Sequence, residues 1–172
     1  EIDVATEHMV STLKAFNIEA KDSIQIVDKA NEVGNNFAIT SAGIGEALER
    51  SASSLVAAGN DIDQSIALIT AGNIITQDPE SVGNAIKVLS LRIRGSKTEL
   101  EEMGEETDNL AESSSKLRSE LKALTGVDIM LNDKEYKSTY QILLEISKVW
   151  DSLSDVSQAN TLEKLAGKTR AS

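Results

Sequence analysis

An all-α fold, an irregular multi-helix bundle, is what this 172-residue sequence predicts, and three observations predict it. Apolar residues recur at spacings of three and four along most of the chain, the mark of helices with one buried face. Residues that cap helices, and glycines that end them, punctuate those repeats. Only near residues 127–137 does a two-residue alternation replace the helical period, leaving a small β-hairpin there as an option. A chain of this length buries roughly 70% of its unfolded surface, enough to fold alone. Its core must be mostly aliphatic, because Phe16, Phe37, Tyr136, Tyr140 and Trp150 are its only aromatic residues.

The first helix is read from the stripe Ile2, Ala5, Met9, Leu13 and Phe16, and the second from Ile26, Ala30, Val33 and Phe37. Thr40 or Ser41 is placed to cap a third, whose inner side is Ile44, Ala47, Leu48 and Leu55 and which should stop at Gly59. Asp61, followed three residues later by Gln64, forms a capping-box pattern for a fourth helix with Ile62, Ile66 and Ile69 inside. The fifth has the firmest start. Asp78 accepts from the first free amides, and Pro79 at the first helical position loses a donor that had no partner anyway. Val82, Ala85, Ile86, Leu89 and Ile93 line its inner face, Arg92 and Arg94 complement the carboxyl end, and Gly95 suits a left-handed cap. Gly72 and Gly83 leave two readings open, close helix contacts or simple tolerance.

From Thr98 to Ser115 there are seven acidic residues and no Lys or Arg. The spacing of Leu100, Met103, Thr107, Leu110, Ser114, Leu117, Leu121 and Leu124 follows a coiled-coil seam, weakened by Thr107 and Ser114. One long helix and two shorter ones both fit, and like-charge runs are usually solvated connectors. After Gly126, Val127, Ile129 and Leu131 supply the alternation. Ile142, Ile146, Val149 and Leu153 then line a helix whose face Leu143 and Trp150 widen. Asp155 with Gln158 suits the cap of a last helix carrying Val156, Ala159, Leu162 and Ala166. The expected organisation is a helical bundle over residues 1–96, an acidic helical connector over 97–125, and a hairpin plus two helices over 126–172, with all three in one domain as the alternative.

Composition narrows the function. With 17 Lys and Arg against 28 Asp and Glu, the net charge of −11 argues against a dedicated nucleic-acid surface, which needs clustered cations. There is no cysteine, hence no disulfide and no thiol chemistry. No apolar run reaches the roughly 20 residues of a membrane span. Glu1, without a charged-then-apolar leader, gives no targeting peptide and suggests a piece of a longer protein.

The candidates for chemistry fail on spacing. His8 stands beside Glu7 with no second histidine and no cysteine to complete a zinc set. Gly43 to Leu48 lacks the third glycine of a dinucleotide loop and follows a cap rather than a strand. Asp128, Asn132 and Asp133 lie close in sequence, but Met130 takes the third loop position and the sixth is not glycine, so no EF-hand forms. No carboxylate pair is singled out for glycoside hydrolysis. The sequence therefore assigns no catalytic, cofactor-binding or metal-binding residue and predicts a protein that is not an enzyme.

Two stretches carry a resemblance. "IVDKANEVGNNFAITSAGIGEALERSASSLVAAGNDIDQSIALITAG" running into "SVGNAIKVLSLRIRG", and "STYQILLEISKVWDSLSDVSQANTLEKLAGKTRAS" at the end, resemble the core region of phage tail tape measure proteins over roughly residues 20–172. The carboxyl-terminal match includes Trp150, Gln158 and the "LAGKTR" run from Leu165 to Arg170. The resemblance implies a scaffold and length ruler inside the tail tube, present in several copies and released before the genome at ejection. It implies as partners other copies of the chain, the tail tube protein, tail assembly chaperones and the distal tail protein, while the acidic balance argues against specific nucleic-acid binding. It implies residence in the virion tail lumen and, during assembly, in the host cytoplasm. Within a tube, a compact particle with a radius of gyration of about 16 Å would have to open, with Gly59 and Gly95 as hinges. The alternative from the residues alone is a bacterial helical interaction or signalling module without catalytic activity.

Overall fold

Side-chain caps decide where most of the helices begin. The computed structural model describes residues 2–108 and 110–168, with the side chains of residues 2–6 outside that description. Among the described residues it contains nine α-helices and no strand: α1 (Ile2–Ala15), α2 (Ser23–Asn36), α3 (Ser41–Ala57), α4 (Ile62–Thr76), α5 (Pro79–Arg94), α6 (Lys97–Glu102), α7 (Ser114–Thr125), α8 (Thr139–Val149) and α9 (Asp155–Ala166). The all-α prediction holds. Thr40 accepts from the Gly43 amide at 3.0 Å to start α3. At α4 the Asp61–Gln64 capping box is complete in both directions. Asp78 holds both the amide and the hydroxyl of Ser81, at 3.2 and 2.6 Å, ahead of Pro79. Those bonds, the Ser81 hydroxyl first, hold its carboxyl below the ordinary carboxylate value. Gly59 and Gly95 take the left-handed conformation, with φ of 79° and 69°, where an L side chain would clash with the backbone.

The chain divides into two compact units, residues 1–87 and 88–172, with α5 contributing to both. In the first unit α1 and α2 pack on α3, and α3 on α4. Its core is Ala30, Ile39, Ile44, Ala47, Leu48, Leu55, Ile66, Ile69, Val82 and Ile86. Phe37 departs from the expected second stripe. The α2 helix ends at Asn36, and Phe37 follows as an extended residue with its side chain 51% exposed. Ile39 fills the core position beyond it. Met9, Leu13 and Phe16 are partly buried as the first stripe predicts, while Ile2 and Ala5 fall among the side chains outside the description. The glycine alternative is resolved in favour of contact. A Cβ on Gly83 would stand 2.6 Å from the Ala47 carbonyl oxygen, and one on Gly72 would stand 2.9 Å from a Val82 methyl.

The second unit is built on Ile93, Leu117, Leu121, Val127, Ile129, Ile142, Ile146 and Leu165, with Trp150, Tyr136 and Leu143 packed against them. The acidic stretch forms two helices rather than one, since α6 stops at Glu102 and α7 starts at Ser114 behind the Ser113 cap. The coiled-coil spacing is therefore interrupted, although Leu100 and Leu121 are fully buried. At 127–137 the hairpin is reduced to one antiparallel bridge between Met130 and Tyr136. Two readings of α9 are corrected. Its cap is Ser154, which accepts from the Ser157 amide at 3.2 Å, so Asp155 lies in the first turn. Its buried residues are Thr161 and Leu165, whereas Val156 is 70% exposed. The end of the "LAGKTR" run, Thr169 and Arg170, lies outside the described residues.

Candidate interaction surfaces

The residues weighed for chemistry are engaged in structure. His8, on α1, pairs through Nε2 with Glu49 Oε2 of α3 at 2.9 Å. Gly43 and Gly45 lie in the first turns of α3, where they make room for the Pro79 ring and for His8. Asp128 faces Arg118 in a bidentate pair of 2.7 and 2.8 Å and also accepts from the Met130 amide at 3.0 Å. The Arg118 bond is the main reason its carboxyl is held far below the ordinary carboxylate range. Asn132 accepts from the amides of Lys134 and Glu135, which makes it a turn residue. Asp133 reaches Arg118 at 3.6 Å from an otherwise exposed position. Among the described residues no group of three metal-ligating side chains is found. None of their helices is long and apolar enough to cross a membrane.

In the first unit a cleft of about 840 Å³ opens among α1, α2 and the start of α3. Its walls include Met9, Ile26, Ala30, Ile44 and Leu48; of its polar groups, Thr12 donates to the His8 carbonyl at 2.8 Å and His8 holds Glu49. It offers volume and apolar contact, without a nucleophile set beside a base.

Arg92 is the functional-looking group that helix patterning missed. Read from sequence as a cation complementing the carboxyl end of α5, it is 1% exposed. Its Nη1 donates to the Glu106 carbonyl at 2.9 Å, and the backbone at Gly167 comes so close that a Cβ there would meet the guanidinium at 3.2 Å. Burial lowers its pKa, while the negative charges of Glu106, Glu105 and Glu163 oppose that shift. The acidic loop after α6 and the end of α9 are thus gathered around one buried cation. Arg94, half-buried two residues on, stands 4.4 Å over the Tyr136 ring.

The exposed apolar residues are the other resource. On α4, Ser65, Ile66, Ile69, Thr70 and Asn73 are buried, yet Ile74 and Ile75 are 52% and 87% exposed. The helix carries no charged residue from Gln64 to Gln77. On α9, the predicted stripe of Val156, Ala159 and Leu162 points outward.

The described side chains that could carry chemistry are paired within the fold, and apolar residues of α4 and α9 remain exposed. The family model for phage-related minor tail proteins matches residues 1–167, and the chain belongs to that family. It is accordingly a structural protein of the phage tail. No solved structure matches the chain.

Proposed function

We propose that the chain is the core region of a tail tape measure protein, a scaffold and length ruler within the tail tube that leaves before the genome at ejection. The observation that carries this reading is the set of resembling stretches, residues 26–72 with 81–95 and residues 138–172, inside a family match that spans nearly the whole chain. The helical architecture supports it, because a ruler needs helices begun and ended correctly and no reactive group. Copies of the chain, the tail tube protein, the assembly chaperones and the distal tail protein are its partners in this reading. The tail lumen is its place in the virion.

A ruler must convert chain length into tail length. As one continuous helix, 172 residues would span about 260 Å. An in-frame deletion of this segment in the phage that encodes it is therefore expected to shorten the tails by up to about that amount, measured by electron microscopy. Tails of unchanged length would overturn the ruler reading.

A further inference from the structure

We propose that Arg92 is a conformational clasp that couples the acidic loop over residues 103–108 to the end of α9, so that a disturbance at Glu163 or Gly167 opens the loop. The clasp lies wholly within the second unit, and it stands whether or not the chain is a ruler.

The coupling begins with a charge that has nowhere to go. A guanidinium stays protonated under all conditions in which a protein folds, so Arg92, 1% exposed, must be compensated where it lies. Two segments supply that compensation. From the loop come the Glu106 carbonyl, which accepts from Nη1 at 2.9 Å, and the negative charges of Glu106 and Glu105. From α9 comes the charge of Glu163. The backbone at the end of that helix is fitted to the same group. The Gly167 amide donates to the Glu163 carbonyl at 2.9 Å, and a Cβ on Gly167 would stand 3.2 Å from Nη1 and 3.4 Å from Cζ of Arg92. Its φ of 84° and ψ of 161° belong to a region that is essentially glycine's alone.

The loop is the member free to move. The last turns of α9 are anchored independently, by Thr161 and Leu165 in the interior and by Lys164, which pairs with Glu120 of α7 at 2.9 Å. Hydrogen bonds at Gly104, Glu105 and Thr107 run back to α6, to the Glu101 and Leu100 carbonyls and the Glu101 carboxylate. Those bonds shape the loop, and Arg92 ties it to α5. If the loop lifted, the cation would lose a hydrogen bond and two neighbouring negative charges, and water would have to enter to replace them. Shifting the guanidinium from the α9 side breaks the same contacts. Coupling of this kind is reciprocal, and it joins positions about 60 residues apart in sequence.

Amide hydrogen exchange of the 172-residue chain, followed residue by residue by NMR, reads the loop at Gly104 and Glu105 and the core at Ile142 and Ile146. Gly167→Ala sets a methyl against the guanidinium and should speed exchange at Gly104 and Glu105 by about 5- to 100-fold, while Ile142 and Ile146 exchange as in the wild type. Glu163→Gln, which withdraws one compensating charge and leaves the glycine in place, should act in the same direction. Arg92→Met removes the cation itself, so the loop should be loose from the outset. Adding Gly167→Ala to that variant should then change nothing further at Gly104 and Glu105. A Gly167→Ala chain whose loop amides exchange like the wild type would overturn the proposal. So would one in which loop and core amides speed up together, because that is a general loss of stability. An undiminished effect of Gly167→Ala in the absence of Arg92 would also overturn it, since the coupling would then bypass the arginine. Should Arg92→Met fail to fold, Gly167→Ala and Glu163→Gln decide the matter between them.

Discussion

Asp128 shows how a residue can be legible in identity and illegible in role. The sequence shows a carboxylate near Asn132 and Asp133, which invites a metal reading that the spacing rejects. The structure shows what the group does: it receives Arg118 on both oxygens and closes the turn after α7 through the Met130 amide. Arg118 lies ten positions earlier, outside the reach of any local pattern. Asp128→Asn keeps an acceptor for Met130 but removes the charge facing Arg118, and is expected to destabilise the second unit by about 1–2 kcal/mol at pH 7. Because the folded carboxyl is held below its unfolded value, its contribution is complete above pH ~4 and disappears as pH falls below that. Denaturant titrations at pH 7, 5 and 3 should show an equal gap between wild type and variant at the first two and a smaller one at the third. A gap that shrank between pH 7 and 5 would mean that another group is responsible.

Among the helices, legibility depended on whether a local signal was sufficient. Caps and boxes are written in neighbouring residues, and Thr40, Asp61 and Asp78 act as the sequence indicates. The face of α9 is not local. Val156, Ala159 and Leu162 make an acceptable stripe, but the bond from Gln158 to the Trp150 carbonyl and the pairing of Lys164 with Glu120 on α7 turn the other side inward. For the same reason Arg92 was legible as a cation and not as a buried one, its surroundings coming from residues 105–106, 163 and 167. The apolar face of α4 was equally hidden, since a helix with no charge from Gln64 onward does not say which side its own unit will cover. Glycines give a measurable contrast at this scale. Gly83→Ala would drive a methyl into the Ala47 backbone and should cost about 2–3 kcal/mol, as overpacking does. Gly95→Ala meets nothing within 4 Å and suffers only its left-handed backbone, at about 1 kcal/mol. Thermal melts should rank Gly83→Ala as the more damaging, and the reverse order would refute the close crossing of α3 and α5.

For the whole molecule, charge and core organisation make separate predictions. The excess of acidic residues, with Arg50 paired to Glu80 and Arg118 to Asp128, leaves little to hold phosphates, so titration with labelled duplex DNA at physiological salt should give no submicromolar binding. The two cores predict something sharper about folding. Each unit has its own aliphatic cluster, Leu48 lying at the centre of one and Ile142 of the other, both with almost no exposure. Truncating either to alanine removes buried methyl groups and leaves a cavity, at about 2–5 kcal/mol. If the units open separately, Leu48→Ala should strip hydrogen-exchange protection from amides of α3 and α4 and leave those of α7 and α8 protected. Ile142→Ala should do the reverse. Helix α5 is the informative element, because Val82 and Ile86 belong to the first cluster and Ile93 to the second. Its first half should follow the Leu48 lesion and its last turns the Ile142 lesion. Equal loss of protection throughout the chain in both variants would show instead that the cooperative unit is all 172 residues, with α5 transmitting either lesion from one core to the other.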